Sequence, residues 1–459
     1  MTKLNFILGP CAALMLAGCT MIPKYERPAS PVGTQYPGVT QTNPGNAGDL
    51  GWETVFTDER LKQLIRLSLT NNADYQVAVL NVEQSRAQYR ITRSASFPSV
   101  SASGSYTREG NFTTTTTTTE TWSASLGTTA YEVDLFGRVR SQNRQALETF
   151  FATAEAQRSA KISLVAEVAT EYFVLRQAEE QIALAQATLK SVEDSFALNQ
   201  ANFDAGATSE LDLRTAEGQV QTAKINLLTY ERARAQAVNY LVLLIGQGVP
   251  TNLPAASPFD ATNLVAEVSP GMPSELLQRR PDILEAEHTL KAANANIGAA
   301  RAAFFPTINL TANVGVKSSQ LADLFASGTG VWSFAPQITL PIFTGGQNQA
   351  GLDSAKISRQ IDVVNYQKAI ETAFREVADA LVAAGSYASQ IEAEIKLISA
   401  QQRRYELANL RYRQGDDTYL NVLSAQQDLY NAQQDLLQAQ FRKLSSQISL
   451  YQALGGGWK

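Results

Sequence analysis

Groups able to do covalent chemistry are scarce in this chain. Two cysteines, Cys11 and Cys19, and one histidine, His288, are spread over 459 residues. A Ser-His-Asp triad or a zinc site built on histidine is therefore nearly excluded. No GxxxxGK[ST] loop occurs, so any energy source is expected to lie elsewhere. The adjacent acids Asp416 and Asp417 invite an acid–base reading. They follow Gly415 in a turn sequence, where solvated turn residues are the plainer reading and a gating role the sharper one. His288 lies in a helical pattern and reads as structural. The 38 basic and 43 acidic residues are interspersed, with formal net charge −5 and no basic stripe to meet nucleic acid. No enzyme, metal or cofactor is expected.

One thiol has a telling context. Lys3 is followed by an apolar run from Phe6 to Leu16, too short for a permanent membrane helix. The run ends in Leu16-Ala17-Gly18-Cys19, which resembles the bacterial lipoprotein cleavage box. That resemblance implies cleavage before Cys19 and acylation of its thiol; an ordinary signal peptide with a chance cysteine is the alternative. Thr20, not aspartate, follows, so an inner-membrane retention signal is not expected. Cys11 leaves with the leader, and the mature chain can form no internal disulfide. Each buried acyl CH₂ holds the chain by roughly 0.8 kcal/mol. No later segment is long and apolar enough for a transmembrane helix.

The elements that would carry such a chain come in two copies. At an offset of about 208 residues, too long for a solenoid repeat, the landmarks of the first half fall on the second. Asn72-Ala73-Asp74-Tyr75 falls on Arg280-Pro281-Asp282-Ile283, Phe97-Pro98 on Phe305-Pro306, and Gly206 on Gly415. The order expected is a leader at 1–18, an acylated extended tether at 19–57, a first repeat at 58–250, a linker at 251–273 and a second repeat at 274–459. Each repeat opens with a helix; the first starts at a candidate N-cap, Asp58, and runs to about Ser96. A hairpin follows at about 98–135 and about 306–343. There Ile308, Leu310, Ala312, Val314 and Val316 alternate with polar residues, as do Trp332, Phe334, Ile338 and Leu340. The run Thr113 to Thr119 reads as a solvated loop. Arg138 to Phe203 holds neither proline nor glycine, enough for a helix of about 100 Å; its copy runs from about Asn348 to Gln414. Both end in a glycine turn, Gly206 or Gly415, followed by Ser209 or Thr418 able to cap a return helix. Four strands alternating apolar and polar residues match outer-membrane strands but cannot close alone; three chains would give twelve.

With these residues the chain resembles the outer-membrane factors of the TolC family, nearest to the OprM-like lipoproteins of tripartite multidrug efflux systems. The resemblance rests on Gln278-Arg279-Arg280-Pro281-Asp282-Ile283, Ala300-Arg301-Ala302-Ala303-Phe304-Phe305-Pro306, Glu132-Val133-Asp134-Leu135-Phe136-Gly137 and Leu454-Gly455-Gly456-Gly457-Trp458. It implies an α+β membrane protein in the outer membrane. A homotrimer would close a 12-stranded β-barrel on a periplasmic α-helical barrel, with a lipid anchor on Cys19. Its implied partners are a periplasmic adaptor, an inner-membrane RND transporter and outer-membrane lipid. Its implied role is a passive, gated exit duct for drugs.

The same resemblance places a gate at the second tip. Leu420 matches an apolar pore-lining position. Arg411 and Tyr412 match residues that tether the inner hairpin to its neighbour, and Asp212 is the corresponding partner in the first hairpin. Gly206 and Gly415 mark the turns and the adaptor contact. Family members carry aspartate rings where this chain has Asn421 and Ser424, so Asp416 and Asp417 are the remaining acids near the turn. Two other functions fit less of the chain: a duct for protein or peptide secretion, and a structural coiled-coil lipoprotein, which leaves the hairpins unexplained.

Overall fold

The computed structural model describes residues 20–37, 51–111, 118–260, 264–266, 277 and 279–457. The leader with Cys19, most of the threonine loop, Gln278 and Trp458 lie outside the described residues. The elements are α1 (Trp52–Val55), α2 (Glu59–Asn71), α3 (Ala73–Ser94), β1 (Ser101–Gly110), β2 (Thr118–Glu132), α4 (Arg138–Asp204), α5 (Glu210–Ile245), α6 (Pro281–Ala302), β3 (Thr307–Ser318), β4 (Gly330–Thr339), α7 (Gln347–Gln414) and α8 (Tyr419–Ala453). Compact units do not follow the two copies. One comprises Met1–Ala29, Asn81–Ala154 and Glu285–Gln367; the other comprises Ser30–Leu80, Glu155–Leu284 and Lys368–Lys459.

The first unit holds one antiparallel sheet of order β1-β2-β3-β4, so β1 and β4 are edges. Thr118 and Thr119, expected in the loop, instead pair with Gly110 and Glu109, because threonine suits a pleated strand once a partner is present. Cross-strand register sorts the side chains into two faces. One carries Ser103, Ser105, Ser123, Ser125, Asn313 and Ser333. The other carries Tyr106, Trp122, Leu126, Val314, Trp332 and Phe334. Two glycines sit on the polar face. A Cβ on Gly127 would lie 2.3 Å from the Ala312 carbonyl oxygen, and one on Gly315 2.2 Å from that of Ala124. Removing side chains from one face lets a sheet curl toward it. Between Thr128 and Tyr131 the register slips, and Ala130 takes a φ of 55° there. This bulge bends β2.

The segment after Thr20, read as an extended tether, carries no helix or strand over residues 20–30 and is strapped to α6. Glu287 accepts from the Arg27 guanidinium at 2.6 and 3.2 Å and from the Tyr25 hydroxyl at 3.1 Å, with Lys291 Nζ at 3.0 Å. Asn294 donates to the Pro23 carbonyl at 2.8 Å and Arg301 to the Met21 carbonyl at 3.2 Å. Gly298 makes room, since a Cβ there would meet Ile22 N at 2.9 Å. Hydrophobic periodicity cannot reveal a segment held by one carboxylate and backbone carbonyls.

In the second unit, Asp58 caps α2 by accepting from Leu61 N at 3.0 Å. Its other oxygen accepts from the Tyr172 hydroxyl and from Ser257 N, both at 3.0 Å. The expected single helix from Asp58 to Ser96 is broken at Asn72, whose extended backbone lets its Oδ1 cap Tyr75 N at 2.9 Å. Val55, Phe56, Leu61, Ile65, Val168, Phe173, Ile245, Ile448 and Tyr451 form the core beneath.

Both copies close on themselves in this unit by the same device. In the first, Asn72 Nδ2 donates to the Leu244 carbonyl at 3.0 Å, and Gly246, at φ 68°, lies against Asn71 O. In the second, Arg280 Nη1 donates to the Ala453 carbonyl at 2.8 Å, and Gly455, at φ 89°, lies against Arg279 O. Arg280 is also held by Asp282 at 2.6 and 3.0 Å and by Glu376 at 2.8 Å.

Candidate functional site

The helical tips are built from two turns with the same hydrogen-bond pattern. At the first, Gly206 takes φ 72°, its N–H donates to Phe203 O at 2.8 Å, and Ala207 N donates to Asn202 O at 2.7 Å. At the second, Gly415 takes φ 82°, its N–H donates to Tyr412 O at 3.0 Å, and Asp416 N donates to Arg411 O at 3.0 Å. Both are Schellman ends, which need a left-handed residue that glycine adopts without strain.

The caps that follow differ. Ser209 accepts from Asp212 N at 3.2 Å, while Asp212 Oδ2 accepts from the hydroxyls of Ser209 at 2.7 Å and Thr208 at 3.1 Å. Thr418, expected to cap α8, makes no side-chain cap. Asp417 does the work beside it: its Oδ1 accepts from Thr418 N at 2.8 Å and from Asn421 Nδ2 at 2.5 Å. Those two bonds, with Arg411 Nε at 3.6 Å, hold its carboxyl below the usual aspartate range.

The proposed gate residues are distributed as follows within one protomer. Tyr412 donates from its hydroxyl to Asn199 Oδ1 at 2.9 Å, joining the second helical hairpin to the first. Arg411 faces Asp417, and Asp212 is engaged in its own cap, so this chain brings Tyr412 and Arg411 to no Asp212 of its own. Leu420 is 65% exposed and meets no core. Asp416 is exposed at the turn. Asn421 serves Asp417, and Ser424 Oγ accepts from Arg404 at 3.3 Å, with Arg404 also 2.5 Å from Asp428. His288 lies far from these tips in sequence; its Nδ1 is 2.6 Å from Glu148 Oε2, and its ring packs on Phe151.

Several residues of this region were not singled out by sequence. Asn199 is buried and donates to Ser195 O at 2.9 Å. Asparagine is a poor helix-interior residue, so its place two turns before Gly206 was a readable signal. Above it runs a ladder of amides between α4 and α8: Gln177 to Gln438 at 3.0 Å, Gln181 to Gln434 at 3.1 Å, Gln426 to Ser191 at 3.1 Å. Tyr419 is buried against Tyr412, and its hydroxyl has no partner among the described residues. Burial first, then the neighbouring Tyr412 and Tyr405, push that hydroxyl up to about 12.

A four-stranded antiparallel sheet, long glycine-turned helical hairpins and paired closures characterise this chain. The family model described as outer membrane efflux protein fits residues 64–247 and again 272–456, once per copy. The chain belongs to the outer membrane efflux protein family. Its similarity to individual family members runs nearly end to end. The toluene efflux pump outer membrane protein TtgC of Pseudomonas putida is 47% identical over 97% of this chain and 94% of its own. The cation efflux system protein CusC of Escherichia coli is 40% identical over 98% of each. The open-state MtrE outer membrane channel of Neisseria gonorrhoeae superposes with a TM-score of 0.89 at 41% identity, covering 96% of this chain and 99% of that one. As an outer membrane efflux protein, this chain resides in the outer membrane, and its hairpin tips are the candidate gate.

Proposed function

We propose that three copies of this chain form a passive exit duct of a tripartite, proton-driven multidrug efflux pump. The sheet carries this reading. Its strands alternate in direction, so β4 of one copy can meet β1 of the next antiparallel, and three copies leave no edge open to lipid. Exposed apolar residues such as Leu80, Ile91, Ile225, Leu228, Val364 and Val382 offer surface that neighbouring copies would cover. A periplasmic adaptor and an inner-membrane RND transporter supply recruitment and energy, and acyl chains on Cys19 reinforce attachment. At rest the tips are held by tethers worth about 0.5–3 kcal/mol each, small enough for a partner to overcome. Relatives named for toluene, solvent and antibiotic efflux support small, largely apolar organic cargo.

The test is drug susceptibility and dye accumulation in a host lacking its own exit ducts, with this chain expressed with and without a transporter–adaptor pair. Restored resistance that needs the pair is expected. Absence of rescue, with trimer in the outer membrane, would overturn the drug-efflux role and leave secretion as the reading to test.

A further inference from the structure

The polar face of the sheet is nearly free of charge. From Thr307 and Thr339 at one end to Ser105 and Ser123, its uncharged positions are serine, threonine, asparagine, glutamine, glycine and alanine, with Val331 across from Gly315. Among the described strand residues, only three positions on that face are ionic. Glu132, near the start of α4, is neutralised by an ion pair with Arg138. Glu109 pairs with Thr119 four residues beyond the Ser105–Ser123 rung, toward the open end of the hairpin. Lys317 lies across from Ser123 and makes no ion pair among the described residues. The other charged residues of the described strands, Arg108 and Glu120, sit on the apolar face and pair with each other at 3.6 Å. Gly127 and Gly315, which let the sheet curl, are on the same face as Lys317.

We propose that Lys317 sets the charge preference of the barrel bore, favouring anionic over cationic solutes at its outer end. The inference rests on the trimeric duct reading: three copies put three ammonium groups at one level of the bore, among hydroxyls and amides, with the Glu109 carboxylates farther toward the open end. Across such a water-filled bore three charges are worth a permeability ratio of about two to four at low salt. Neutral solutes pass unaffected.

The assembled full-length protein, inserted in planar bilayers under a salt gradient, gives the reversal potential directly. Relative to the unsubstituted channel, Lys317→Gln should shift it toward cation preference and Lys317→Glu should shift it further, with both shifts vanishing near 1 M salt, where screening falls to about 3 Å. A second route changes the charge after folding: Lys317→Cys treated with cationic or anionic thiol reagents should shift in opposite directions, with the unsubstituted channel as control. Conducting channels that all reverse at one potential, or a Lys317→Cys thiol that neither reagent reaches, would overturn the proposal. An unsubstituted protein that inserts and never conducts would instead sink the duct reading on which it stands.

Discussion

At the scale of single residues, two tyrosines in ring contact at the second tip should respond oppositely to the same change. Tyr412 donates to buried Asn199, so Tyr412→Phe strands an amide oxygen and weakens the junction of the two helical hairpins by about 1–3 kcal/mol. Joined with Arg411→Ser, which frees Asp417, it should raise single-channel conductance; unchanged conductance would remove both from the gate. Tyr419 carries a buried hydroxyl with no partner among the described residues, so Tyr419→Phe should leave conductance unchanged or lower and raise the thermal midpoint slightly. In the sheet, Ala130 holds a left-handed backbone that costs a non-glycine residue about 1 kcal/mol. Ala130→Gly should therefore survive well. Gly127→Ala and Gly315→Ala, which drive a methyl into the facing strand backbone, should lower the amount of folded protein in outer-membrane fractions.

Among elements, the strap after Thr20 makes a distinct prediction. Burial raises the Glu287 carboxyl, but hydrogen bonds from Arg27 and Lys291 outweigh it and leave it below the usual glutamate range. A depressed carboxylate stabilises fully above its unfolded value, near 4.3, and loses that contribution as pH falls through the lower folded value. Protection of residues 21–27 from hydrogen exchange should thus hold from neutral pH through mild acid and fall only below about pH 4. Glu287→Gln should expose the strap at every pH, at a cost of about 1–2 kcal/mol given that Arg27 is partly in water. Strap and helices differ in how far the sequence revealed them. The long helices α4 and α7 were legible because proline and glycine are absent from Arg138 to Phe203 and glycine marks each tip. The break at Asn72 was not, because the apolar pattern continues across it while one asparagine side chain bonds on both sides. The tip turns were readable from Gly206 and Gly415, yet the capping exchange of Thr418 for Asp417 depended on rotamers that composition does not specify.

On the scale of the whole molecule, the membrane decides which face of the sheet matters. Val314 and Asn313 are adjacent on β3 but point to opposite faces. Val314→Arg, placed toward lipid, should cost about 2–4 kcal/mol and lower the amount of assembled protein in outer-membrane fractions, whereas Asn313→Arg should be tolerated. Equal losses from the two would show that the faces are misassigned. The alternation that defines them was plain in the second hairpin from sequence alone. In the first hairpin the alternation was also read, though more polar, and the register of β2 on β1 and β3 continues the two faces through it.

Each copy's closure has a consequence for how such a chain could arise and be taken apart. The start and end of a copy lie one hydrogen bond apart: Asn72 on Leu244 O, Arg280 on Ala453 O. A gene segment encoding one copy therefore specifies a loop whose ends already meet. Tandem duplication of it needs only a connector, not a redesigned junction. By the same logic, a chain severed within that connector, between residues 246 and 279, should reassemble from two co-expressed fragments, each returning to its own point of origin.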